Sequence, residues 1–135
     1  MAPTVLFVCQ HGSAKSVVAA HHFQALAAAQ GVAIACLSAG VDPDDAIPLP
    51  VVAGLTEDGL HVDGTRPQVL TQTLVDRATH VVSFACDLAS QVRTRHVITW
   101  DDIPAVSDGY APARDAIVAR LEPLLDAIVS DDVRD

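Results

Sequence analysis

Apolar residues along the chain occur in two patterns, continuous runs and helical periodicity, and the change from one to the other marks the elements of secondary structure. Residues 4–8 are an unbroken apolar run, typical of a strand covered on both faces. Over 14–30, apolar residues recur on one helical face of an alanine-rich segment, and Gly31 supplies a stop signal. The pattern therefore predicts a strand, a helix and then a second strand at 32–37.

The rest of the chain repeats this alternation after a surface loop at 40–50 that is rich in aspartate and proline. The predicted elements are helices at 51–58 and 68–78, strands at 80–84 and 97–99, and a final helix that begins near residue 111. Pro123 should kink or restart that final helix. Alternating strands and helices predict a three-layer α/β fold with a parallel sheet, whose binding crevice lies beyond the C-terminal ends of its strands.

Length and composition limit the possible functions. The 135 residues fit one domain, 1–135, and the formal net charge of -9 excludes a broad electrostatic footprint for nucleic acid or an anionic membrane. No apolar run of about 18 residues and no leader pattern appears, so we expect a cytoplasmic protein. Three cysteines at irregular spacing make neither a disulfide framework nor a zinc pattern, and we expect no metal or organic cofactor.

Cys9 stands where the first strand ends and the first helix is about to begin. A helix start offers unpaired backbone N–H groups and about half a positive charge, which stabilise an anion or a thiolate. The pKa of a free thiol, about 8.5, falls to roughly 3.5 to 7.5 at such positions. The sequence therefore predicts that Cys9 is a nucleophile beside an anion-binding loop.

The segment from Cys9 through Lys15 and Ser16 resembles a known phosphate-binding loop. In the low-molecular-weight protein tyrosine phosphatases and thioredoxin-coupled arsenate reductases, the pattern is cysteine, five residues, arginine and serine. The resemblance covers nearly the whole chain, and it implies a single domain with a four-stranded parallel sheet in the order 2-1-3-4. The other matching segments are Ser38-Ala39-Gly40, residues 54–63, residues 81–84, and residues 100–104 followed by Arg114-Asp115.

This resemblance implies a thiolate that attacks phosphorus or arsenic in line, with Cys9 as the nucleophile. Lys15 would clamp the anion, and Ser16 would donate a hydrogen bond to the thiolate. Catalysis of this kind depends mainly on positioning and on stabilising spreading charge. The loop residues whose backbone amides would cradle the oxygens are Gln10, His11, Gly12, Ser13, Ala14 and Lys15.

The loop departs from the family's pattern at three positions. Lys15 replaces arginine, and a flexible point charge cannot grip two oxygens in one plane. By analogy with the loss of one oxyanion donor, this costs about 3 kcal/mol, or roughly a hundredfold in rate. His11 replaces a glycine and Gly12 an asparagine. Gly12 can adopt a positive φ freely, whereas His11 either tolerates a similar geometry or marks a rearranged loop.

The resemblance also implies a carboxylic acid, in an Asp-Pro pair shortly after a tryptophan, that protonates the leaving oxygen. In this chain an isoleucine separates acid and proline within residues 100–104. Asp102 is the first choice, Asp101 is the second, and Asp108 is the alternative if the loop has shifted its register. Tyr110 is the only aromatic residue that follows nearby, so an aryl phosphate is not clearly favoured as the substrate.

The other two cysteines have different expected roles. Cys86 follows the third strand, which in the family's sheet lies beside the first. Of the two, Cys86 is the better candidate for a thiol that forms a disulfide with Cys9. A packing role is nevertheless favoured for it, because this chain lacks the paired cysteines of the arsenate reductases. Cys36 lies in the second predicted strand and is expected in the core.

Two function classes remain after these observations. The first is a thiolate-dependent enzyme acting on a phosphomonoester, such as a phosphotyrosine, or on arsenate, in which case thioredoxin or a small thiol would be a partner. The second is a non-catalytic oxyanion-binding or regulatory protein that kept the cradle after the arginine was lost. Phosphate, arsenate or a phosphorylated substrate is the expected ligand of both.

Overall fold

Four strands and four α-helices make up the fold in a computed structural model that describes residues 3–62, 64–88, 91–94 and 97–134, with side chains up to residue 130. The strands are β1 (Thr4–Cys9), β2 (Ala35–Gly40), β3 (His80–Ser83) and β4 (Val97–Thr99). The helices are α1 (Lys15–Ala29), α2 (Leu49–Glu57), α3 (Gln72–Arg77) and α4 (Tyr110–Arg134), and a 3₁₀ helix covers Val106–Asp108.

All strand pairs are parallel, and the sheet order is β2-β1-β3-β4. The α/β class and the strand order implied by the resemblance are therefore confirmed. Among the described residues, no helix combines the length and the continuous apolar character that a membrane span requires.

β1 is an inner strand whose two faces are both buried, as its unbroken apolar run predicts. Val5, Phe7 and Cys9 join the core that contains the buried residues of α1 and α4. Leu6 and Val8 join the separate core on the other face. The strand thus carries Cys9 to the C-terminal edge of the sheet, on the face that α1 and α4 cover.

β2 begins three residues later than the predicted strand at 32–37. The Val32 N–H donates to the Ala27 oxygen at 2.8 Å, which keeps this valine in the C-terminal turn of α1 in spite of its strand propensity. β2 then continues to Gly40, which is the register partner of Cys9. Its C-terminal end therefore lies directly beside the end of β1.

One helix prediction is corrected, and of the two effects predicted for Pro123 the restart does not occur. The helix predicted at 68–78 begins only after Thr71, whose hydroxyl caps it by accepting from the Leu74 N–H at 3.2 Å. Gln68 and Leu70 instead exchange backbone hydrogen bonds with Gly40 and extend the sheet. α4 runs through Pro123 without restarting. Buried apolar residues precede and follow the proline, and their packing outweighs the loss of one N–H donor.

Candidate active site

The end of β1 and the first turn of α1 bring Cys9 and Ser16 together. Their Sγ and Oγ atoms lie 3.0 Å apart in a hydrogen bond. Ser16 is fully buried and Cys9 is 6% exposed, so solvent competes little for this contact. Since a serine hydroxyl can donate to a sulfur that has lost its proton, the pair is suited to hold a thiolate at a helix N-terminus.

The loop after Cys9 is anchored through its carbonyl groups. The N–H groups of Val41, Asp42 and Asp44 donate to the oxygens of residues 9, 10 and 11 at 3.3, 2.8 and 3.0 Å. A trans peptide directs its C=O and the next N–H to opposite sides, so the N–H groups of residues 10–12 face away from the 41–44 segment. The N–H groups of residues 11–14 donate to no oxygen of the described part of the chain, and they remain available to an anion.

Two glycines make the anchoring possible. Gly12 has φ +60°, and a Cβ on it would lie 2.6 Å from the Gly40 nitrogen. A Cβ on Gly40 would lie 2.5 Å from the Gly12 nitrogen. Gly12 therefore takes the left-handed conformation expected of it. His11 does not take this conformation, because Ala85 is the only described non-glycine residue with a positive φ. The Nδ1 atom of His11 lies 3.1 Å from the Asp42 backbone oxygen.

A cavity of about 380 Å³ opens above Cys9. Lys15 lines it and makes no hydrogen bond or ion pair with any described residue. The cavity therefore joins a thiol to an ammonium group that forms no ion pair with any described carboxylate. Its other walls are mostly apolar and come from Pro48, Pro50 and Val51 on one side and from Phe84 and residues 105–107 on the other.

The structure does not bring the predicted acid to this cavity. Both carboxylate oxygens of Asp102 accept hydrogen bonds from Arg120 of α4, whose guanidinium lies 5.8 Å from the centre of the Trp100 ring. Asp101 and Asp108 are exposed and do not line the cavity either. Sequence reasoning could not foresee this, because Arg120 lies 18 residues from its partner.

Asp44 is the carboxylate that does line the cavity, and sequence reasoning missed it. Its Oδ2 accepts a hydrogen bond from the Ser13 hydroxyl at 2.6 Å. The residue sits in the acidic segment interpreted only as a surface loop. A signal was present, because this segment follows β2 directly and parallel strands end at the same edge of a sheet.

Cys86 lies close enough to Cys9 for the two thiols to interact electrostatically. Its Sγ lies 3.3 Å from the Ser83 Oγ and 3.6 Å from the Val8 oxygen. It packs against the core on the face opposite Cys9, and burial raises the pKa of its thiol. All three cysteines are free.

Cys36 is only partly buried rather than enclosed in the core as expected. It packs against the edge of the core that contains Cys9, and burial raises the pKa of its thiol to about 12. At neutral pH this thiol therefore stays protonated, and a nucleophilic role is disfavoured.

A second polar cluster joins α1, α2 and α4, and we call it the Asp58 cluster. Asp58 accepts from the Tyr110 hydroxyl at 2.7 Å and from Arg114 Nη1 at 2.9 Å, and His22 Nε2 lies 3.1 Å from its Oδ2. The Tyr110 ring also fills the space over Gly54, where a Cβ would lie 2.5 Å from the ring. Tyr110 is thus held away from the cavity.

The charges of the Asp58 cluster are balanced internally. Burial alone would raise the pKa of Asp58, but the Tyr110 hydrogen bond and the charges of Arg114 and His22 outweigh it, so this pKa is lowered. Burial lowers the pKa of His22 in spite of the opposing effect of Asp58. No group of three histidine, cysteine or acidic side chains suited to a metal ion occurs in the described part of the chain.

Comparison with known proteins places this site in context. Residues 4–126 match the model of a family described as low molecular weight phosphotyrosine protein phosphatase. No curated protein matches the chain by sequence.

Several solved structures share the fold. YfkJ from Bacillus subtilis is similar with a TM-score of 0.86 and 20% identity, over 97% of each chain. A low molecular weight protein tyrosine phosphatase from T. tengcongensis has a TM-score of 0.73 and 20% identity, over 93% of this chain and 99% of that one. The thioredoxin-dependent arsenate reductase Cg_ArsC1' of Corynebacterium glutamicum has a TM-score of 0.82 and 24% identity; 96% of this chain spans 63% of that protein's length.

Proposed function

The chain belongs to the low molecular weight phosphotyrosine protein phosphatase family, and from this premise we propose that it is a cysteine-dependent enzyme acting on a tetrahedral oxyanion. Membership supports phosphate-ester hydrolysis or arsenate reduction through a cysteine. Within that range we propose phosphomonoester hydrolysis, with Cys9 as the nucleophile, Lys15 as the anion clamp and Ser16 as the donor that holds the thiolate.

One observation carries this proposal: the hydrogen-bonded pair of Cys9 and Ser16 lies at the start of a loop with unpaired amide donors. The thiolate would attack phosphorus and form a P–S bond while the ester P–O bond breaks. The amides of residues 10–15 and the Lys15 ammonium would stabilise the charge that spreads over the three remaining oxygens. Water would then break the P–S bond, releasing phosphate and regenerating the thiolate.

Arsenate reduction is the second chemistry that the family includes. The same cradle suits arsenate, and an arsenate reductase is among the structural neighbours. Reduction would need a second thiol, from Cys86, thioredoxin or a small thiol. Cys86 contacts the Val8 oxygen, next to Cys9 in the chain, although it packs against the core on the other face of the sheet. Thiols that must stay reduced fit a cytoplasmic enzyme.

A non-catalytic oxyanion-binding protein is the alternative. Two observations favour it: lysine replaces the family's arginine, and Asp102 is paired with Arg120 rather than placed at the cavity. Such a protein would keep the cradle and bind phosphate without turnover. Under this alternative, partner proteins would distinguish the free and liganded states.

Hydrolysis of p-nitrophenyl phosphate by the full chain separates these functions. We expect turnover that Cys9→Ser abolishes and that Lys15→Arg maintains or raises. Cys36→Ser is the matched control, because it removes a thiol outside the cavity and should leave turnover unchanged. Phosphate should also slow alkylation of Cys9 by iodoacetamide.

The alternative predicts a different set of results. Phosphate would raise the Tm, as binding to the folded state requires, while wild type and Lys15→Arg would both lack turnover. Absence of both turnover and phosphate protection would contradict the enzyme and the binding protein alike. A Cys9–Cys86 disulfide, found by mass spectrometry after treatment with arsenate, would instead support reduction.

A further inference from the structure

The cavity above Cys9 has one carboxylate among its described lining residues, and it comes from the loop after β2. Asp44 lines the cavity, whereas the segment after β4 reaches it through Ala105, Val106 and Ser107. That segment therefore contributes no described carboxyl group to the lining of the cavity. Asp102 is held outside by Arg120.

Asp44 is fixed to the Cys9 loop at two points. Its backbone N–H donates to the His11 oxygen at 3.0 Å, and its Oδ2 accepts from the Ser13 hydroxyl at 2.6 Å. Ser13 is only 2% exposed, so the donor itself is held in place. A carboxyl group anchored through one oxygen has a defined orientation.

The second oxygen of Asp44 is less constrained. Oδ1 lies 3.8 Å from His11 Nδ1, which allows an ion pair when His11 is protonated but is beyond hydrogen-bond distance. If Oδ2 keeps its bond from Ser13, then Oδ1 is the oxygen that can hold a proton. The anchoring thus separates one oxygen that accepts a hydrogen bond from one that can donate a proton.

We propose that Asp44, rather than an aspartate of the segment after β4, is the general acid of this site. The inference rests on the proposed phosphomonoester hydrolysis. As Cys9 attacks phosphorus and the P–O bond breaks, the proton on Asp44 Oδ1 moves to the leaving oxygen. In the second step the Asp44 carboxylate takes a proton from the water that attacks phosphorus, which restores the acid as the P–S bond breaks.

The transfer requires that Asp44 carry a proton when the ester is bound, and the bound ester supplies a charge that favours this form. A phosphate dianion beside a carboxylate is a like charge, and it favours the neutral carboxyl form. The other charged or titratable groups that line the cavity are Cys9, His11 and Lys15. Lys15 holds the phosphate oxygens, so the acid and the clamp act on different oxygens of the same group.

The test compares substrates that differ in their need for an acid. Phenyl phosphate releases a strongly basic phenolate, whereas 2,4-dinitrophenyl phosphate releases an anion that needs no proton. We expect Asp44→Asn to lower kcat on phenyl phosphate by about 10² to 10⁴-fold and to have much less effect on the dinitrophenyl ester. Asp45→Asn is the matched control, since it removes an exposed neighbouring charge that does not line the cavity.

Every outcome bears on the proposal. An equal loss on both esters would make Asp44 a residue that only positions the loop and would overturn it. A leaving-group-dependent loss in Asp102→Asn, with none in Asp44→Asn, would overturn it in favour of Asp102. If wild type hydrolyses neither ester, the proposed function fails and the acid fails with it. The Tm of Asp44→Asn with phosphate checks that the cradle is intact.

Discussion

The cavity at Cys9 and the Asp58 cluster are both polar, and they differ in whether their charges are matched. In the Asp58 cluster one carboxylate receives hydrogen bonds from a tyrosine and an arginine, and a histidine lies beside it. At Cys9 the lysine and several amides have no protein partner among the described residues. A balanced cluster stabilises the fold, whereas an unbalanced one is suited to receive a ligand from solution.

The largest expected effect separates binding from stability at Lys15. Lys15→Ala should lower kcat/KM by about a hundredfold or more, because it removes a charge that stabilises the transition state. The free energy of unfolding should change by less than about 0.5 kcal/mol, because the ammonium has no partner to lose. Steady-state kinetics and urea titration measure the two quantities. Arg114→Ala is the opposite control, with lower stability and unchanged turnover.

The next effect tests whether the shape of the cradle depends on close backbone contact. Gly40→Ala would place a Cβ 2.5 Å from the Gly12 nitrogen, so the loop must shift. We expect a loss of about 2 kcal/mol in the free energy of unfolding, together with loss of phosphate protection in thermal melts. Gly31→Ala is the control, because no atom lies within 4 Å of the added Cβ; Gly31, unlike Gly40, has a left-handed φ, so its loss comes from backbone strain alone and should leave phosphate protection intact. Retained phosphate protection in Gly40→Ala would contradict this account.

A smaller effect is expected in the Asp58 cluster. Asp58→Asn keeps the shape of the side chain but removes the charge that balances Arg114. We expect a loss of about 1–2 kcal/mol in the free energy of unfolding by chemical denaturation. Phosphate binding should be unchanged. A variant that instead weakens phosphate binding would show that the two regions are coupled.

The smallest effect concerns pH. The pKa of His22 in the folded protein lies below its ordinary value of 6.5, because burial disfavours the charged form. As the pH falls, His22 therefore takes up a proton in the unfolded chain at a higher pH than in the folded protein. Its contribution then lowers the free energy of unfolding below about pH 6.5. Thermal melts at pH 7.5 and 5.5 should show a smaller loss of Tm in His22→Gln than in wild type. His61→Gln, at an exposed position, should keep the wild-type loss.

Local patterns predicted the parts of the fold that depend on local forces. The unbroken apolar run predicted β1, and the helical periodicity predicted α1. β2 was displaced because the strand propensity of Val32 was overridden by a hydrogen bond to the end of α1. The start of α3 was displaced because Gln68 and Leu70 pair with Gly40, a contact that no local pattern contains.

The same distinction applies to the site. Cys9, the loop amides, Lys15 and Ser16 are contiguous in the sequence, and folding brings them together as one unit. The acid was the difficult prediction, because it depends on which distant loop reaches the cavity. Asp102 carries the right chemistry, but Arg120 on α4 holds it elsewhere. The acid that we propose instead, Asp44, lies in the acidic segment that follows β2, and parallel strands end at the same edge of a sheet.

The close backbone contact between Gly12 and Gly40 also affects when the anion-binding loop can form during folding. The loop motif is complete by residue 16, yet its shape depends on contact with a segment that follows an entire helix and a strand. A peptide ending at residue 31 would contain the full motif and still lack a cradle. During synthesis on the ribosome, the loop can therefore take the shape that binds an anion only after β2 has emerged and packed beside β1.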